Sequence, residues 1–142
     1  MNTNKPTAEW HDKKVILSTL WVLVLLNYVF WDLAPMVFDA GAPRVAAGMA
    51  GGLVLMFAVF IESAIAMVLL ARVLRYPANR WTNIITGAVH AAVIAWSLWA
   101  GPAPTAYSLF GMSVIAGCVL IVGVSWSWRE PEASPSVGIQ AA

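Results

Sequence analysis

Apolar residues run along this chain in blocks much longer than the alternating or three-and-four-residue patterns of soluble strands and helices. Four blocks, at about 15–34, 45–73, 81–100 and 106–128, each reach the roughly 20 residues that a helix needs to cross the hydrocarbon of a bilayer. Pro35, Gly41 and Pro43 interrupt the chain after the first block, Pro77 after the second, and the GPAP run at 101–104 after the third. The connections are short, so consecutive spans are expected to lie antiparallel, side by side. The pattern predicts an all-α polytopic membrane protein, an up-down-up-down bundle of four transmembrane helices.

Composition agrees, with 61% hydrophobic and only 11% charged residues. Within that frame, 1–14 is expected to be a polar N-terminal segment, 15–128 the transmembrane domain, and 129–142, rich in Pro, Ser and Glu, a disordered tail. A cleavable signal peptide is a rival reading of the first block, since Lys13 and Lys14 precede it and Ala40–Ala42 resembles a small-residue cleavage site; the block is longer than an ordinary signal core. Among the 8 basic residues, Lys5, Lys13, Lys14, Arg72, Arg75, Arg80 and Arg129 fall on the side of the termini and the second connection, and only Arg44 falls opposite. Basic residues collect on the cytoplasmic side of spanning helices. The expectation is a multi-pass protein of the bacterial inner membrane with both termini cytoplasmic, its partner being the lipid bilayer and not nucleic acid. Cys118, the one cysteine, is expected to pack as a small hydrophobe. Trp10, Trp31, Trp81, Trp99, Trp126 and Trp128 lie near span ends and read as interfacial anchors.

Polar residues inside the blocks are the candidate chemistry. Glu62 interrupts VFIESAIAM, and charged groups at that depth are costly, about 2.5–3.5 kcal/mol on insertion scales, so they tend to face protein or a wet cavity. At helical spacing Glu62 shares a stripe with Arg44, Gly48, Gly51, Leu55, Ala58, Ala66 and Leu69, and small residues let helices approach closely. Glu62 is therefore expected to point into the bundle. In the third block Asn83, Thr86, Gly87, His90, Ile94 and Ser97 form a second polar or small stripe, with His90 near mid-depth. Asn27 falls at a similar depth but on a different face of its helix from Tyr28 and Asp32, which are four residues apart. These five, Glu62, His90, Asn27, Asp32 and Tyr28, are the ligand-binding or proton-exchanging candidates. Arg72, Arg75 and Arg80, close to Tyr76 and Trp81, are candidates for holding anionic headgroups, although the same arginines also satisfy the orientation rule.

The chain has no phosphate-binding Gly-rich loop, nucleophile elbow or cysteine pair, and its two histidines have no metal-ligand spacing, so no metal site is predicted and the cofactor stays open. Three functions fit. One is a protein that binds a lipophilic small molecule, such as a quinone or isoprenoid, or serves as an accessory subunit, alone, as a homo-oligomer or in a membrane complex. Another is a proton-coupled transporter using Glu62. A third is a membrane enzyme with Glu62 and Asp32 or His90 as its acid–base pair. Whether the chain is an enzyme is left undecided.

The runs KVILSTLWVLVLLNYVFWD (14–32), ESAIAMVLLARVLRYPANRWTNIITG (62–87) and SWSW (125–128) resemble a domain-of-unknown-function family of short bacterial four-helix membrane proteins. The resemblance is carried by Asn27, Tyr28 and Asp32 in the first run, and by Glu62, Met67, Arg72, Asn79, Arg80 and Trp81 in the second. In size and layout the family is similar to DoxX-like proteins. The resemblance implies a four-helix fold and no particular activity.

Overall fold

The structure, a computed structural model, describes the backbone of residues 5–38, 51–100 and 105–129 and the side chains of 11–33, 51–52, 54–100 and 108–129. Among the described residues four α-helices follow one another: α1 (Lys5–Phe38), α2 (Gly51–Val73), α3 (Tyr76–Ala100) and α4 (Thr105–Ser127). Each contains a stretch long and apolar enough to cross a membrane, at His11–Leu33, Val54–Val73, Tyr76–Ala100 and Ser108–Ser127. Helix is the form this sequence must take in lipid, because only helices or closed barrels bond all their backbone groups where no water is available. The protein is a multi-pass all-α membrane protein.

Two helix ends differ from expectation. Helix α1 continues through Pro35 to Phe38 instead of stopping at it. Proline removes one backbone donor, a loss tolerated near a helix end more readily than at its centre. Helix α3 begins at Tyr76, so Pro77 lies in its first turn, where its missing N–H has no intrahelical acceptor to lose. The Asn79 amide closes that turn onto the Arg75 carbonyl at 2.8 Å. Arg44, Gly48 and the 130–142 tail lie outside the described residues.

Three seams hold the bundle: α1 packs on α2 and on α4, and α3 packs on α4, whereas α2 and α3 touch only sparsely. On α1 the buried face is Leu17, Ser18, Trp21, Val24, Tyr28 and Trp31, which recur at steps of three and four. On α3 it is Tyr76, Asn79, Asn83, Gly87, His90 and Ile94, a continuation of the stripe expected there. Close approach needs missing side chains at particular places. A Cβ on Gly87 would sit 3.1 Å from Val122 Cγ2 and 3.4 Å from the Cys118 carbonyl, and one on Gly117 would sit 3.0 Å from Val24 Cγ2. Glycine at these positions sets the spacing of α3 and α1 against α4, as small residues commonly do between membrane helices.

The face assigned to α2 requires correction. Gly51, Leu55, Ala58, Glu62, Ala66 and Leu69 do share one face, but all are exposed on the outside of the bundle. The packed face is Phe60, Ser63, Ala64, Met67 and Ala71, on the opposite side of the helix. Helix α2 is apolar almost all round, so its sequence carries little amphipathic signal to say which side is in. Two tryptophans are also reassigned: Trp31 and Trp128 are buried in the core, while Trp81, Trp99 and Trp126 are exposed as interfacial anchors would be. Cys118 is buried and free.

Candidate functional site

Inside the bundle, polar side chains from several helices join into bonded relays. His90 is central. Its Nδ1 is 2.8 Å from the Tyr28 hydroxyl, and its Nε2 is 2.9 Å from Ser63 Oγ. Ser63 Oγ also donates to the Phe60 carbonyl at 2.7 Å, which uses its only proton. Ser63 must then accept from His90 Nε2–H, leaving Nδ1 to accept from the Tyr28 O–H. Donation runs from Tyr28 to His90 to Ser63 and ends on the Phe60 carbonyl, with the imidazole in the neutral Nε2–H tautomer. Phe60 stacks on the ring, centroids 3.9 Å apart, and Trp21 meets it edge-on at 5.4 Å. Both ring nitrogens are engaged and the ring is walled by aromatics, an arrangement that orients three helices against one another.

A second relay lies closer to the arginine end. Trp21 Nε1 donates to Asn83 Oδ1 at 2.7 Å, Asn83 Nδ2 donates to Asn79 Oδ1 at 2.6 Å, and Asn79 Nδ2 donates to the Ala71 carbonyl at 2.6 Å. This line ties α1 to α3 and α3 to α2 through fully buried groups. Beyond it, Arg72 Nε donates to Ser18 Oγ at 3.0 Å, Ser18 donates to the Val68 carbonyl at 3.0 Å, and Tyr76 donates to the Trp128 carbonyl at 2.8 Å. In a dry interior such bonds matter because the alternative is an unsatisfied polar group.

The five intramembrane candidates separate. Tyr28 and His90 are buried and bonded together. Asn27 is half-buried and donates to its own helix at the Leu23 carbonyl, 2.9 Å away, so it does not reach them. Asp32 is exposed: one helical turn from Tyr28 carries it past the edge of the packed face. Glu62 lies beside Ser63 in sequence, at the depth of His90, yet points away from the bundle, and nothing among the described residues bonds its carboxyl. Arg72, Arg75 and Arg80 gather at one end with Lys14, whose Nζ donates to the Arg72 carbonyl at 3.3 Å. The Arg80 guanidinium lies 6.0 Å from the Trp81 ring and 5.8 Å from the Trp126 ring, within cation–π range. Among the described residues no three His, Cys, Asp or Glu side chains come together as a metal site would require.

Ser63, Phe60 and Trp21 are not among the site candidates read from the sequence, and Asn79 enters there only through the family resemblance. Asn79 sits one turn before Asn83 on the same stripe, a signal hidden by starting the third span at 81. Ser63 was eclipsed by its acidic neighbour. Trp21 is one heptad before Tyr28, and that spacing alone marks a shared face.

One cavity stands apart from the relays. Where α2 and α3 diverge, in the half of the bundle away from the arginines, an open cleft of about 460 Å3 is lined by Met56, Phe57, Ala92, Val93, Trp96 and Ser97. Its single hydroxyl, Ser97 Oγ, donates to the Val93 carbonyl at 2.9 Å.

These features define a small four-span membrane protein with bonded polar relays in its interior and a mostly apolar cleft on its flank. The chain belongs to the family of unknown function DUF6326, which it matches over residues 6–134. No curated protein and no solved structure matches it.

Proposed function

We propose that this protein binds a lipophilic small molecule in the open seam between α2 and α3, as a component of the bacterial inner membrane with both termini cytoplasmic. The observation that carries the reading is the cleft itself, lined mostly by apolar side chains and about 460 Å3, within the roughly 300–1,000 Å3 of ordinary small-molecule sites. Met56 and Phe57 from α2 and Trp96 from α3 offer soft and aromatic surface suited to a ring or a short isoprenoid chain. At the other end Arg72, Arg75 and Arg80 hold anionic headgroups and so keep that end at the cytoplasmic surface. Acid–base chemistry by a Glu62–His90 pair draws no support from the geometry, because Glu62 is exposed on the outer face of α2 while His90 is buried on the inner face of α3. A transporter using Glu62 alone draws none from the cleft, which Glu62 does not line.

The test is photolabelling in proteoliposomes with a photoactivatable short-chain quinone analogue, followed by peptide mapping. Labelling is expected on the peptides that carry Met56–Phe57 and Trp96–Ser97, to be displaced by excess unlabelled analogue, and to fall when Ala92→Phe fills the cleft. Labelling spread evenly over the lipid-facing surface of all four helices, unaffected by competitor, would overturn the reading.

A further inference from the structure

We infer that two copies of this chain pair through the outward face of α2, with Glu62 of each copy bonded to Glu62 of the other at the middle of the membrane. Glu62 stands eleven residues from Gly51 and eleven from Val73, the centre of the helix. That is about 16 Å of helix from either end, too far for its side chain to reach an interface. It is also the most expensive depth at which to leave a carboxyl in contact with lipid. The fold offers it no relief, since the packed side of α2 is the opposite one and no described group bonds it. Among the described residues nothing meets it, and its carboxyl faces outward, where a group from outside this copy can reach it.

Three observations select a second copy. First, a carboxyl can complement itself when one of the pair carries a proton: an acid donates and accepts, so two acids, or an acid and a carboxylate, satisfy each other, whereas two ammonium or guanidinium groups cannot. Second, copies inserted with the same orientation are related by an axis normal to the membrane, and such an isologous contact along α2 brings groups of equal depth together. Third, the face is shaped for a helix. Ala58 and Ala66 lie one turn to either side of Glu62, and beside Gly51 and Gly52 there is open space. Small residues on both sides of a polar group let backbones approach until the polar groups bond. Helix α2 is also the least covered of the four spans. The pairing uses none of the residues that line the cleft, so either proposal can fail alone.

Disulfide trapping in native membranes tests it. In a Cys118→Ala background, single cysteines are placed by Ala58→Cys and Ala66→Cys on the proposed interface and by Leu120→Cys on the exposed side of α4, and the membranes are oxidised. The expected result is a covalent dimer from both α2 positions and none from Leu120→Cys. Adding Glu62→Leu should lower dimer formation about tenfold, the scale of losing two interhelical hydrogen bonds in a bilayer. Glu62→Gln should retain it, because an amide also donates and accepts. Leucine is favourable on a lipid-facing surface, and an unchanged thermal transition of each purified variant separates lost pairing from lost folding. The inference is overturned by the absence of a dimer, by equal yield from Leu120→Cys, by a crosslink to a different protein, or by Glu62→Leu leaving the yield unchanged.

Discussion

Replacing Tyr28 by Phe removes one oxygen and tests the direction of the His90 relay. In the relay as the geometry orders it, the Tyr28 hydroxyl donates to Nδ1 at 2.8 Å and Ser63 receives the Nε2 proton. Phe at position 28 keeps the ring in its place beside Trp31 and Phe60 but leaves Nδ1 as a buried acceptor with no donor. Interhelical hydrogen bonds in a bilayer measure about 0.6 kcal/mol on average and up to about 1.7, and an orphaned buried group costs about 1–3. The expected loss is about 1–2 kcal/mol, or about 5–30-fold in the folding equilibrium. Asn27→Leu should by contrast change stability by less than about 0.5 kcal/mol, because the Asn27 amide only returns to its own helix. Reversible unfolding of the purified variants in mixed detergent micelles measures both losses. Nitrogen-15 spectra of the His90 ring should show the proton on Nε2 in the wild type and still on Nε2 in Tyr28→Phe. A silent Tyr28→Phe, or a wild-type proton on Nδ1, would refute the ordering of the relay.

Further outcomes follow from the same packing. Asn83→Leu keeps the branching and the number of side-chain heavy atoms but orphans Trp21 Nε1 and Asn79 Oδ1, and is expected to cost about 2–4 kcal/mol in the same unfolding assay. Gly87→Leu places its Cβ 3.1 Å from Val122 and the rest of its side chain in the α3–α4 seam, so a loss of about 1–3 kcal/mol or more is expected, while Gly87→Ala should cost less than half as much. Glu62→Gln should leave the stability of the single copy within about 0.5 kcal/mol of wild type, since the carboxyl makes no described bond inside the bundle.

The stripe on α3 was legible because polar and small residues at 83, 87 and 90 stand out against an apolar background and repeat at helical spacing. The partners that complete it were not. Tyr28 and Ser63 meet His90 from helices 62 and 27 residues away in sequence, and spacing within one helix says nothing about the rotation of another. For Glu62, depth and face-mates were readable, but the direction of the face was not. A carboxyl at that depth is costly in lipid whatever supplies its partner, so depth alone does not fix the rotation of α2.

Length and apolarity of the four blocks, taken alone, determine that this chain crosses a membrane four times as helix, because hydrocarbon leaves the backbone no other way to bond itself. Charge placement along the chain carries the expectation of orientation for a similar reason, since it needs only the order of residues. Which rotation each helix adopts was decided only in the folded bundle. On α2, apolar nearly all round, that choice rests on how Phe60, Ser63 and Met67 fit against neighbouring helices, and it turns Glu62 outward. The sequence placed a carboxyl in the middle of an apolar span; the tertiary structure turned it to the outer surface of the bundle.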